Sequence, residues 1–131
     1  FHNAGGFDSS FFAHMEEVDL CWRIQNLGYQ FEAIPKSIDY HDGGGTLNYD
    51  SSSKIYLNFR NNLYMLFKNL PNKDLIYVLP IRLILDGIAS ITFLNKDKGF
   101  HHLFAIFKAH FSFYINIPKL IKKRRNIIKL V

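Results

Sequence analysis

The sequence predicts an α/β unit followed by a mainly helical extension, and three observations carry that prediction. Apolar residues recur at helical spacing from about Glu16 to Leu27 and stop at Gly28. Tyr29-Gln30-Phe31-Glu32-Ala33 then alternates like a half-buried strand, with Ser37 to His41 as a second candidate. From Ser53 onward the apolar residues return to helical spacing, and the charge changes sign with them. Residues 1–50 carry eight acids against Arg23 and Lys36, a formal net charge of −6, whereas residues 51–131 carry 14 basic residues against three acids, a net of +11. The chain therefore divides into an acidic first part, 1–50, and a basic, aromatic-rich second part, 51–131, joined across the Gly-, Ser- and Asp-rich stretch from Asp42 to Ser53.

A length of 131 residues suits one small domain with one core. The opening Phe1-His2-Asn3-Ala4-Gly5-Gly6-Phe7-Asp8 reads as the interior of a domain, so the expectation is a fragment of a longer one. Cys21 is the single cysteine, which excludes an internal disulfide framework and a multi-cysteine zinc site.

Within the first helix, Leu20, Ile24 and Leu27 fall at i, i+4 and i+7 and define a buried face, with Cys21 and Trp22 as packing residues. Asp19 and Arg23, one turn apart, are expected to pair on the exposed side. Gly28 is the natural stop, because glycine takes the left-handed conformation that closes a helix. In the second part, Tyr56, Phe59, Leu63, Leu66, Phe67 and Leu70 mark a helix that Pro71 ends. A second helical region runs from about Asp74 to Leu94. It is strongly apolar but interrupted by Pro80, Arg82 and Asp86, which favours a kinked, buried or interfacial helix over a membrane span. A third helix is expected from about Gly99 to Tyr114, followed by a separate basic segment from Ile117 to Val131. His101, His102 and His110 have no evident ligand partners.

The chemistry is concentrated where the first helix begins, with Glu16, Glu17 and Asp19 packed into four residues. Acids in a first turn commonly serve only as caps, since the helix dipole favours negative charge there. Against that stands an ordered series: Gly5-Gly6-Phe7-Asp8, Phe11-Phe12, Glu16-Glu17-Val18-Asp19-Leu20-Cys21-Trp22-Arg23, Gly28-Tyr29, and His41 followed by Gly43-Gly44-Gly45. In order and approximate spacing this series, over roughly residues 4–70, resembles the second half of the catalytic domain of family 2 glycosyltransferases, inverting enzymes with a GT-A fold.

That resemblance implies the C-terminal part of a GT-A domain over residues 1–50 and a helical, membrane-facing extension over residues 51–131. It implies transfer of a sugar from a nucleotide-diphospho-sugar donor to the hydroxyl of a saccharide or lipid-linked acceptor, in cell-surface polysaccharide synthesis at the inner face of a bacterial cell membrane. Glu17 falls where the family places its catalytic base, although Asp is the commoner residue there. Glu16 and Asp19 would shape the acceptor site, and Arg60, beside Asn61 and Asn62, would approach the diphosphate. His41 would help hold a divalent cation, Mn²⁺ or Mg²⁺. The family's Asp-x-Asp metal motif is absent from this sequence and would lie upstream, so the chain alone is expected to be inactive. The glycines after His41 lack the context of a phosphate-binding P-loop and read as an active-site loop.

The basic tail around Lys119, Lys122, Lys123, Arg124 and Arg125 interleaves with aliphatic residues. It fits a solvated face or attachment to an anionic membrane surface. No motif accompanies it that would indicate nucleic acid. Two competing classes remain at this level: a non-catalytic helical membrane-adaptor or interaction module, in which the acids are caps, and a glycoside hydrolase, which needs two opposed carboxyl groups.

Overall fold

A computed structural model describes residues 1–38, 40, 51–94 and 99–128. After a 3₁₀ turn at His2–Ala4, the described elements are α1 (Glu16–Asn26), α2 (Ser52–Asn69), α3 (Asn72–Phe93) and α4 (Gly99–Ile128). No strand occurs among the described residues, which overturns the expected α/β, GT-A-like architecture. The physical reason is visible from residue 29 onward. Alternation specifies a strand only when a neighbouring strand takes its backbone hydrogen bonds and one face is covered. Here Tyr29, Phe31, Ile34 and Ile38 all remain exposed, and no partner strand meets them among the described residues.

α1 ends as its sequence dictates. Gly28 takes φ 85°, its N–H donates to the Gln25 carbonyl (2.8 Å), and the Tyr29 N–H donates to the Ile24 carbonyl (3.3 Å). These two bonds form a Schellman closure that satisfies the last carbonyls of the helix. α2 starts on a Ser51 cap, whose Oγ accepts from the Lys54 N–H at 3.2 Å. It stops because Leu70, preceding Pro71, is driven to extended backbone.

α3 and α4 pass unbroken through Pro80 and Pro118. A proline inside a helix costs about 3 kcal/mol, so packing on both sides must override it. Leu79 and Leu83 flank Pro80, and Phe113, Ile117 and Leu120 flank Pro118; all five belong to the central cluster or pack against it. The expected break between Tyr114 and Ile117 is therefore absent.

The core lies mainly between α2 and α4, where Leu63, Tyr64 and Met65 of α2 meet Phe113 and Leu120 of α4, and Phe11 from the N-terminal segment inserts beside them. Phe11 meets Tyr64 edge-on (6.5 Å between ring centroids), and Phe67 meets Phe113 in the same manner (5.7 Å). Trp22 packs against this cluster as expected, but Cys21 is exposed.

Candidate functional site

Residues 8–15 form a loop between the 3₁₀ turn and α1, and α2 grips it. Asn61 is fully buried, and its side-chain amide donates to the carbonyls of Phe11 (3.0 Å), Ala13 (2.7 Å) and His14 (2.9 Å). The neighbouring Arg60 guanidinium donates from Nη2 to the carbonyls of Ser10 (3.0 Å) and Phe11 (3.1 Å), and from Nε to Asn61 Oδ1 (2.9 Å). Its Cζ lies over the rings of Tyr56 (5.2 Å to the centroid) and Tyr64 (5.3 Å). Two adjacent α2 residues thus convert a polar loop into a fixed one, satisfying carbonyls that would otherwise be left unpaired.

The loop is strained. Phe12, His14 and Met15 have φ of 65°, 68° and 70°, left-handed values that cost a side-chain-bearing residue about 1–2 kcal/mol each. Met15 is the residue on which α1 begins, and no side chain caps that start. Glu16 and Glu17 follow at once in the first turn, Glu17 exposed and Glu16 half-buried. Two side-chain atoms beside the strain, His14 Nε2 and Glu16 Oε2, are buried without a hydrogen-bond partner among the described residues.

Asp19 points the other way. It is fully buried, accepting from Arg23 (2.9 Å) and Lys68 (2.9 Å) as ion pairs and from the Asn69 amide (2.8 Å). Its pairing with Arg23 is therefore an interior contact and not the exposed one expected. Asp19 is committed to the fold and does not face an acceptor. Arg23 continues the network to the carbonyls of Ala4 and Gly6. Gly5 and Gly6 adopt φ 79° and 63°, the turn that brings those carbonyls round to the guanidinium.

Asp8 extends the network to α4, accepting from Lys68 (2.6 Å) and Lys123 (2.5 Å). Burial pushes its carboxyl up, but the hydrogen bonds from Lys123 and Lys68, the Lys68 charge and the Ser10 amide outweigh this and hold it well below the usual carboxylate range. A cleft of about 310 Å³ opens over this network, lined by Gly5, Gly6, Asp8, Arg23, Lys68 and Lys123 among others. Arg124 donates to the Phe67 carbonyl and to Asn72 Oδ1, both at 2.6 Å.

The structure thus brings Arg60 to the loop that leads into Glu16 and Glu17, and separates Asp19 from them. Arg60 donates to that loop from Nη2, and its Nη1 meets the Tyr56 hydroxyl at 3.4 Å. His41 and Gly43–Gly45 lie outside the described residues. Among the described residues no group of three or more His, Cys, Asp or Glu side chains converges. The expected Mn²⁺ or Mg²⁺ would be held by His41, outside the described residues, and by residues upstream of this sequence.

Sequence reasoning missed Asn61, Lys68, Asn69 and the inward Lys123 and Arg124. A signal was present: Leu57, Asn61, Tyr64 and Lys68 fall at i, i+4, i+7 and i+11 and are all buried, one face of α2 in which alternate members are polar. An apolar period discards two members of such a stripe. Comparison of the chain with family models, with curated proteins and with solved structures gives no match in any of the three.

Proposed function

We propose that this chain is the acceptor-side part of an inverting glycosyltransferase, with Glu17 as the general base. The observation that carries the reading is the strained, clasped loop, which sets Glu17 exposed in the first turn of α1 immediately after three left-handed residues. Backbone strain of this kind persists only where surrounding structure enforces it, and it concentrates at sites of chemistry. The resemblance of the ordered motifs supplies the reaction class.

In the reaction, the acceptor hydroxyl oxygen attacks the anomeric carbon of the donor sugar while the Glu17 carboxylate takes the hydroxyl proton. The new C–O bond forms as the bond to the nucleoside diphosphate breaks, and the leaving diphosphate carries away that bond's electron pair. Attack from the face opposite the leaving group inverts the anomeric centre. Arg60 and Asn61 act as positioning residues, because they fix the loop from which α1 begins. Glu16, half-buried beside Glu17 in the first turn, borders the acceptor site in this reading.

The test is Glu17→Gln in the complete enzyme proposed here, assayed for sugar transfer and nucleoside diphosphate release. The expected loss is roughly 10²- to 10⁴-fold, the usual worth of a positioned base, with the thermal unfolding curve unchanged. Turnover equal to the unsubstituted enzyme would remove Glu17 from the role. That result would favour the second reading, a helical membrane adaptor, which one specific observation supports: α3 is long and apolar enough to cross a membrane, by length and composition, and little of it is buried.

A further inference from the structure

α3 and α4 carry matching apolar stripes on their outward faces. On α3 the exposed residues Tyr77, Ile81, Ile84, Ile88 and Ile91 follow i, i+4, i+7, i+11 and i+14. On α4 the exposed residues Phe100, Phe104, Phe107, Phe111 and Tyr114 repeat the same intervals. Each stripe keeps to one side of its helix and extends about 21 Å. Phe104, Phe107 and Phe111 are 70%, 64% and 68% exposed, values at which an aromatic ring meets solvent over most of its area.

A charged cluster of the same helices faces inward. Arg82 and Asp86 pair at 2.7 Å, and Asp86, 2% exposed, also meets His110 Nε2 of α4 at 3.1 Å. The Arg82 guanidinium lies over the Phe59 ring of α2. These three side chains are partnered between the helices while the isoleucine and phenylalanine stripes face out, the reverse of a water-facing surface.

We infer that the outward stripes of α3 and α4 are a membrane-docking surface, which seats the helices along the plane of a bilayer containing anionic lipid. The occupant follows from the charge beside the stripes, where α4 continues into the exposed Lys119, Lys122 and Arg125. Contacts of Phe93 with His102, of Asp86 with His110, and of Leu79 and Leu83 with the cluster around Phe113 run the helices antiparallel. Tyr77 and Tyr114 accordingly sit toward the same end, near the basic run, where an amphipathic ring suits the headgroup level.

α3 has the length and composition of a membrane span, but the contacts of Asp86 with Arg82 and with His110 tie it to α4, and the two helices together present a one-sided apolar surface. Laid in the interface, it places apolar side chains among acyl chains and lysines among anionic headgroups. Lys123 and Arg124, by contrast, are committed to Asp8 and to the Phe67–Asn72 corner, so the tail attaches through fewer cations than its sequence suggests. The inference does not rest on the glycosyl-transfer reading.

Co-sedimentation of the whole chain with vesicles of phosphatidylcholine alone, or of phosphatidylcholine with phosphatidylglycerol, tests it. The unsubstituted chain should sediment with the mixed vesicles, less with the neutral ones, and retain part of its binding in high salt. The triple variant F104S/F107S/F111S, with its helical circular dichroism unchanged, should lose about tenfold or more in partition coefficient with both. K119E/K122E/R125E should lose only the preference for anionic lipid. No sedimentation of the folded chain with either vesicle, or unchanged sedimentation of the phenylalanine variant, would overturn the inference. So would a stable dimer that the phenylalanine substitutions dissociate without vesicle binding at any stage, since a second copy would then be the occupant.

Discussion

Glu17 and Asp19 are two residues apart and do opposite work, and burial separates them. Glu17 is exposed and has no ion pair among the described residues, so its replacement by Gln should change stability by no more than about 0.5 kcal/mol. Asp19 holds Arg23, Lys68 and Asn69 in the interior. Asp19→Asn removes the negative charge from between two buried cations, and breaking a buried pair in this way costs about 3–5 kcal/mol. Urea unfolding followed by circular dichroism should show that difference as a large fall in midpoint. A midpoint within error of the unsubstituted chain would mean that Arg23 and Lys68 find other partners. The acids thus sort into one left exposed and one committed to the fold, a distinction that their spacing alone does not contain.

At the level of an element, the loop from Asp8 to Met15 is stable only because α2 holds it. Phe12 is exposed and pays the left-handed penalty for no buried contact, so glycine there should relieve more strain than it adds in unfolded-chain entropy. Phe12→Gly is expected to raise stability by about 0.5–1 kcal/mol. Asn61→Ala is expected to act in the opposite direction, lowering stability by about 2–3 kcal/mol, because it strands buried carbonyls of Phe11, Ala13 and His14. Thermal unfolding of the two variants checks both signs. If Phe12→Gly destabilises instead, the left-handed backbone carries less strain than its φ implies. If the chain transfers sugar as proposed, Asn61→Ala should also slow transfer, because the loop that leads into Glu17 is no longer held.

Over the whole molecule, one carboxylate ties the acidic N-terminal stretch to both long basic helices. Asp8 accepts from Lys68 on α2 and Lys123 on α4, and its carboxyl is held below the ordinary value. A depressed folded value means that the unfolded chain takes up the proton first. The stabilisation is therefore complete above the unfolded value of about 3.9 and is lost as pH falls through the folded value. Urea midpoints should decline as pH is lowered from about 5 to 3, and Asp8→Asn should both lower the midpoint at neutral pH and flatten that decline. A decline equally steep in the variant would assign the acid sensitivity to other carboxylates.

Much of the local structure follows from sequence. Helical spacing, Gly28 and Pro71 fix where α1 and α2 end, because capping and proline sterics act over a few residues. The acid pair at the start of α1 was legible for the same reason. The long range was not. Alternation at Tyr29–Ala33 predicts a strand only if a partner exists, and none is present among the described residues. The third helix, expected to end near Tyr114, runs on through Pro118 as α4, since core contacts on both sides outweigh a single lost hydrogen bond. Which face of α1 is buried, and that Asn61, Lys68 and Lys123 turn inward, depends on partners distant in the chain: Asp19 meets Lys68, Phe11 meets Asn61, and Asp8 meets Lys123. A buried charge is stable only when its counter-charge is buried with it, and that pairing is settled by tertiary packing, where no local pattern of residue types records it.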